Sequence, residues 1–242
     1  MFFDIGQCFA CPAMLVLQNK KIAMQFDPNN KVVQLCAQGM QVEAEGKTGE
    51  AHKLFQQAWD IAENDFEAFT AAHYLARNQK DPNDVLKWNL EALNRANAII
   101  DDEMKGHYPS LYLNAGKSYE TLGNLKEANN YYQLAADYST FLPPGKYAEM
   151  IKTGIGAGLR RTGTKTFSDE SLDKLISNWC GQRELKPLSL ILPAYISNLG
   201  TENDINKLIS ALSYLSATRC LDTAEQDVVD ELVVRLSGKV ST

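Results

Sequence analysis

A repeated pattern of small, aromatic and turn-forming residues restricts the fold of this chain more than any other feature. The pattern occurs twice, 77 residues apart, with six positions in the same order and spacing. The two copies are Gly39, Val42, Gly46, Ala51, Phe55 and Ala58, and Gly116, Tyr119, Gly123, Ala128, Tyr132 and Ala135. Each copy predicts two helices that approach closely at the small residues and are joined by a turn at the second glycine.

The helical periodicity gives approximate boundaries for these pairs. In the first pair, residues 32–45 and 48–64 are predicted to be helical. In the second copy, Pro109 suits the first turn of a helix that ends at Gly123, and residues 127–139 form its partner. The sequence therefore predicts two well-formed antiparallel helix pairs.

A less regular pair is predicted between the two copies. Residues 66–78 supply the small and apolar positions of a first helix, but residues 79–82 replace the turn glycine. The stripe of the second helix runs through Val85, Asn89, Ala92, Ala96 and Ile99, so this helix is expected to extend to about Ile100. A further helix of the first type is predicted over residues 146–161, with Gly163 closing the segment.

This order and spacing resembles the tetratricopeptide repeat, a helix-turn-helix unit of roughly 34 residues. The resemblance implies an all-α fold, in which residues 31–163 form a right-handed α-solenoid of about three helix pairs. Residues 1–30 are expected to be a flexible or loosely packed N-terminal extension. Residues 164–242 contain further apolar helical stripes and are expected to form a C-terminal helical bundle or cap.

The resemblance also implies a function. In tetratricopeptide proteins the first helix of each pair lines a concave groove, so the expected role is a non-catalytic scaffold or adaptor that binds a peptide or helix of a partner protein. Carried over by spacing, the groove residues are Cys36, Met40, Glu43, Phe69, His73, Arg77, Leu113, Lys117 and Glu120. The family's carboxylate clamp would need lysine and asparagine in place of Cys36 and Met40, so a receptor for chaperone tails is not expected.

Composition narrows the classes of partner. The formal charge of -6 gives no overall attraction for nucleic acid, and no apolar run reaches the length of a membrane span. An odd number of cysteines without a regular framework favours a reducing compartment, so we expect a cytoplasmic protein. A self-assembling subunit, whose groove is filled by its own segment, is the alternative, and homo-oligomerisation is left open.

No catalytic group, cofactor or metal is predicted. Cys8 and Cys11 form a Cys-x-x-Cys pair that could be half a zinc site, but no second ligand pair accompanies it. Gly154, Gly156 and Gly158 could be read as the cofactor loop of a methyltransferase, yet no strand precedes them, and close helix packing is the preferred interpretation. The basic residues of this region could attract an acidic partner, although a solvated helix face is favoured; they are Lys146, Lys152, Arg160, Arg161 and Lys165.

Overall fold

Helices account for the architecture of the described part of the chain. The computed structural model describes residues 27–99, 102–164 and 167–240, so the interpretations of residues 1–26, including Cys8 and Cys11, lie outside it. Within the described ranges there are eleven α-helices and no β-strand, and consecutive helices pack in adjacent pairs. The all-α fold predicted from the sequence is confirmed. The chain divides into two compact units, with the division between Leu142 and Pro143.

The first unit contains three helix pairs. They are α1 (Lys31–Ala44) with α2 (Thr48–Asp60), α3 (Asp65–Arg77) with α4 (Pro82–Ala98), and α5 (Tyr108–Thr121) with α6 (Leu125–Tyr138). Short 3-10 helices precede α5 (Asp102–Gly106) and follow α6 (Ser139–Phe141). The second helix of the first pair, predicted over residues 48–64, ends at Asp60. The prediction was too long because Asn64 already belongs to the next helix as the N-cap of α3, where its side chain accepts a hydrogen bond from Glu67 N at 3.0 Å.

The two signature glycines make room for an aromatic ring of the facing helix. A Cβ atom added to Gly39 would lie 2.3 Å from Cε1 of Phe55, and one added to Gly116 would lie 2.7 Å from Cε1 of Tyr132. Both rings are completely buried. The pattern of glycine and aromatic residue therefore reflects a steric requirement of the α1–α2 and α5–α6 contacts.

The turn glycines end the first helices as predicted. Gly46 has φ 80° and Gly123 has φ 78°, in the left-handed region that favours glycine. At the first of these turns, Gly46 N donates to Glu43 O at 2.9 Å and Lys47 N donates to Val42 O at 3.1 Å. These two bonds form a Schellman motif, which satisfies the last carbonyls of α1.

The second helices of the three pairs share one register. Their fourth residues are Ala51, Val85 and Ala128, their eighth residues are Phe55, Asn89 and Tyr132, and their eleventh residues are Ala58, Ala92 and Ala135. The middle pair differs because Asn89 replaces the aromatic ring. Its buried amide donates to Ser118 Oγ on α5 at 2.9 Å, so this position joins the second pair to the third.

The second unit is a set of five helices. They are α7 (Lys146–Arg161), α8 (Glu170–Gln182), α9 (Leu185–Ile196), α10 (Glu202–Ala217) and α11 (Thr223–Val240). One apolar core joins α8 to α11 through Leu172, Leu175, Ile176, Trp179, Leu188, Ile191, Leu208, Leu212, Leu215, Val229, Leu232 and Leu236. Pro193 lies inside α9, which continues as one helix to Ile196.

The division between the units differs from the domain boundary expected at residues 163 and 164. The contacts of α7 explain the difference, since its Lys152 Nζ lies 2.7 Å from Asp204 Oδ1 on α10 and its Gly156 lies against the carbonyl of Ile196. The side chains of this ion pair are only 8% and 3% exposed. Lys152 is therefore not part of a solvated face or of a surface for an acidic partner.

The signature glycine contact predicts a large effect of one methyl group. Gly39→Ala should lower the free energy of unfolding by about 1–3 kcal/mol, because the new Cβ overlaps the buried Phe55 ring and outweighs the higher helix propensity of alanine. Urea unfolding followed by circular dichroism measures the change. Gly49→Ala is the matched control, since nothing lies within 4 Å of a Cβ at that position. Equal stability of the two variants would contradict the steric explanation.

The buried ion pair predicts a coupled effect in the second unit. Lys152→Met should destabilise this unit by about 3–5 kcal/mol, because it leaves Asp204 buried without its cation. Adding Asp204→Asn should recover part of the loss, since the amide can still accept from Leu199 N, which lies 3.2 Å from Asp204 Oδ2. Lys146→Met, at an exposed position of the same helix, is the control for thermal unfolding. Additive effects of the two substitutions would show that no such pair forms.

Candidate partner-binding groove

The first helices of the first two pairs lie side by side and run in the same direction. At their amino ends, Asn30 Nδ2 donates to Glu67 Oε1 at 2.6 Å. At their carboxyl ends, Arg77 Nη2 lies 2.9 Å from Glu43 Oε2. Contacts at both ends of α1 and α3 fix their parallel alignment, which gives them a continuous shared surface.

The first helix of the third pair, α5, approaches α3 at its amino end. Phe69, near the start of α3, packs in one apolar cluster with Met104 and with Leu111 of α5. Its ring also meets the edge of the His107 ring, with 5.7 Å between the centroids. Because His107 directly precedes α5, the amino end of α5 lies beside the first turns of α3. The amino end of α5 therefore adjoins the surface of α1 and α3.

Three of the nine residues expected in the groove are buried. Cys36, Phe69 and Leu113 are 2%, 6% and 2% exposed. Each of them stands three residues before the small position of its helix, which is Gly39, Ala72 or Gly116. Their side chains fill the core of the structure, so they support the surface from below and do not offer contacts to a partner.

The other six residues reach the surface. Met40, Glu43, His73 and Glu120 are partly buried, and Arg77 and Lys117 are exposed. The structure brings Glu43 together with Arg77. The His73 ring is tilted against the Phe69 ring, with 6.4 Å between their centroids. This remaining set combines an apolar side chain with charges of both signs.

Both groove carboxylates have hydrogen bonds within the protein. Glu43 accepts from Arg77 and, through Oε1, from Asn78 Nδ2 at 3.3 Å. Glu120 accepts from the hydroxyl of Tyr132, the residue whose ring contacts Gly116. The signature aromatic residue therefore also holds a side chain of the proposed surface.

Sequence reasoning missed two residues of this region. Asn78 caps the carboxyl end of α3, and its amide reaches Glu43 of the neighbouring helix. His107 lies in the segment between α4 and α5, where no helical periodicity applies. Neither position is part of a recognisable sequence pattern. Both residues contact a different helix pair, and the spacing along the chain does not reveal such contacts.

A different face of α5 carries a chain of aromatic contacts. Tyr119 stacks on Tyr131 of α6 at 5.3 Å, Tyr131 meets Tyr112 at 6.2 Å, and Tyr112 meets Tyr138 at 5.5 Å. Burial, with smaller effects from neighbouring tyrosines, raises the pKa of Tyr112 to about 12. These rings join α5 to α6, and their role is packing within the third pair.

The glycine-rich segment has a helical conformation. Gly154, Gly156 and Gly158 all lie inside α7, and a Cβ on Gly156 would lie 3.4 Å from Ile196 O and 3.5 Å from Leu199 Cδ2. The methyltransferase alternative requires a loop that follows a strand, whereas this segment is part of a helix. Close packing of α7 accounts for Gly156.

Comparisons with known proteins return no significant match among family models, curated proteins or solved structures. In the described residues, no three His, Cys, Asp or Glu side chains form a group that could hold a metal ion. None of the helices within the described ranges is long and apolar enough to cross a membrane.

The burial of Cys36 predicts its chemical reactivity. In a variant with Cys8→Ser and Cys11→Ser, a thiol reagent should quickly label the exposed Cys180 and Cys220, while Cys36 should react only after urea is added. Peptide mass spectrometry of the labelled protein distinguishes the three thiols. Rapid labelling of Cys36 in the folded protein would contradict this prediction and show that the thiol is accessible on the surface of the groove.

Proposed function

We propose that the protein is a tetratricopeptide-like scaffold that binds a peptide or helix of a partner protein on the surface formed by α1, α3 and α5. The observation that carries this proposal is the parallel alignment of α1 and α3, held by Asn30 with Glu67 at one end and by Glu43 with Arg77 at the other. These two aligned helices, with the amino end of α5 beside α3, provide an extended surface to which several short contacts of a partner can add.

The repeat interpretation is supported by the packing of the pairs. Glycine meets an aromatic ring in the first and third pairs, and the second helices share their register in all three. These features follow the family pattern from which the function is inferred. The middle pair departs from the pattern at Asn89, so the proposed array is irregular.

The proposed contacts involve fewer residues than the nine predicted from the sequence. We assign partner contacts to Met40, His73 and Lys117, which occupy the same position one residue after the small residue of each first helix. Arg77 and the two carboxylates add charge at the carboxyl ends of the helices. An apolar side chain between charged ones suits a partner segment with an apolar anchor and modest charge pairing.

Site-specific cross-linking tests this assignment. A photoreactive amino acid at Met40 or Lys117 should form covalent adducts with a discrete partner in the native cell, because these positions lie on the proposed surface. Placed at Gln57 of α2 or Asn130 of α6, which are exposed on the second helices, it should not. Mass spectrometry of the adducts identifies what was bound.

Three outcomes of this experiment have distinct meanings. A discrete partner at Met40 and Lys117 alone supports the scaffold proposal. Equal adducts at all four positions, or adducts only at Gln57 and Asn130, would contradict it. Adducts between copies of this chain at Met40 and Lys117 would favour the self-assembling subunit instead.

A further inference from the structure

A surface cavity lies where the ends of α2 and α4 meet the start of α3. Its volume is about 330 Å³. The Trp59 indole and Ala68 supply apolar surface, and Glu63, Asp65 and Arg95 supply charged groups. The cavity therefore combines an aromatic surface with charges of both signs.

Arg95 shows which chemistry this cavity stabilises. Its guanidinium lies 5.8 Å from the centroid of the Trp59 ring, within the range of a cation–π contact. The same group is 3.1 Å from Asp65 Oδ1 and 2.7 Å from Glu91 Oε1. The ring of Trp88 meets that of Trp59 edge to face, with 4.9 Å between the centroids. An aliphatic chain that ends in a cation therefore already lies on this indole.

The cavity keeps a net negative charge after Arg95 is counted. Three carboxylates, those of Glu63, Asp65 and Glu91, lie around the one guanidinium. Glu63 is exposed at the rim, in the turn between α2 and α3. A long cationic side chain can cover apolar surface with its methylene groups while its charged end stays in water. A lysine side chain therefore suits this cavity in both shape and charge.

The chain carries two lysines shortly before its described part begins. Lys20 and Lys21 are the only basic residues ahead of Lys31, and the apolar Ile22 follows them. They belong to residues 1–26, which lie outside the described structure. Their sequence combines the positive charge and the apolar side chain that complement the cavity.

The described chain starts beside the cavity. Asn30 Nδ2 donates to Glu67 Oε1 at 2.6 Å, and Glu67 Oε2 accepts from Glu63 N at 2.8 Å. The side chain of Glu67 thus joins Asn30 to the turn that forms the rim. An extended chain from Lys21 to Asn30 spans up to about 30 Å. Both lysines can therefore reach the cavity of their own chain.

We propose that residues 20–22 dock on this cavity of their own chain, with a lysine ammonium beside Glu63 and Asp65 and the apolar part of the segment against Trp59. The covalent connection favours this occupant over a free basic peptide, because a short tether gives an effective concentration in the millimolar range. The proposal does not depend on whether the groove binds a partner.

Zero-length cross-linking of the full chain tests this contact. A carbodiimide joins an amine to a carboxylate as an amide, so in dilute solution the main adduct should join Lys20 or Lys21 to Glu63 or Asp65. Its yield should fall severalfold in about 1 M sodium chloride, where the screening length is only about 3 Å. Peptide mass spectrometry of an equal mixture of unlabelled and ¹⁵N-labelled protein shows whether both residues belong to one chain.

Three results of the cross-linking would overturn the proposal. The first is a spread of adducts from these lysines over carboxylates remote from the cavity. The second is an adduct that joins a labelled chain to an unlabelled one, which would make a second copy the occupant. The third is the absence of any adduct to Glu63 or Asp65.

The accessibility of Trp59 provides a second measurement. Lys20→Glu combined with Lys21→Glu should release the segment, because the new carboxylates repel those of the cavity. Oxidation of Trp59 by hydroxyl radicals should then rise roughly threefold, since the docked segment no longer covers the indole. Trp179, which is completely buried in the second unit, is the internal reference for unfolding.

A matched pair of charge reversals controls for the change in net charge. Lys186→Glu combined with Lys207→Glu alters two exposed lysines of α9 and α10 and should leave the oxidation of Trp59 unchanged. Equal oxidation of Trp59 in the unmodified protein and in the variant with both amino-terminal lysines reversed would overturn the proposal.

Discussion

The close approach of the paired helices depends on a missing side chain. Because Gly39 and Gly116 have no Cβ, the rings of Phe55 and Tyr132 occupy space that any other residue would fill. Burial of apolar area alone does not specify such a distance, since many packings bury similar areas. A ring that fits only against a glycine does specify the distance between the two helices. This steric match fixes the first and third pairs, and the turn a few residues later only has to join helices that already face each other.

Polar bonds act together with apolar packing to align one pair with the next. Glu43 with Arg77 is an ion pair near the surface and contributes about 0–1 kcal/mol. Asn30 with Glu67 is a partly buried hydrogen bond to a carboxylate and contributes about 1.5–3 kcal/mol. Asn89 with Ser118 is buried, so its loss would leave an unsatisfied group at a cost of about 1–3 kcal/mol. Apolar packing also crosses from pair to pair, since one buried cluster joins Phe55 of α2 to Tyr74 and Leu75 of α3, and another joins Ala92 of α4 to Leu111 of α5. Packing therefore sets the alignment of the pairs together with these polar bonds.

The sequence predicted the parts of the fold that depend on local spacing. Helical periodicity and glycine placement located the pairs because a helix and its turn are defined by residues close in the chain. The burial of Cys36 could not be predicted from this spacing. A first helix has neighbours on more than one side, and periodicity does not say which of its faces is covered. Lys152 shows the limit most clearly. Its partner Asp204 is 52 residues away, and nothing near Lys152 distinguishes it from a solvated lysine.

The bonds already made by the side chains of the proposed groove affect which partner it would accept. Glu43 is already engaged by Arg77 and Asn78, so a cationic partner would have to displace an existing bond and would gain little from this carboxylate. The same bonds restrict the side chains before binding, which reduces the conformational entropy that a partner must overcome. Selectivity on this surface should therefore come from shape and from apolar contact at Met40 and His73, with the charges at the helix ends setting the orientation of the bound segment.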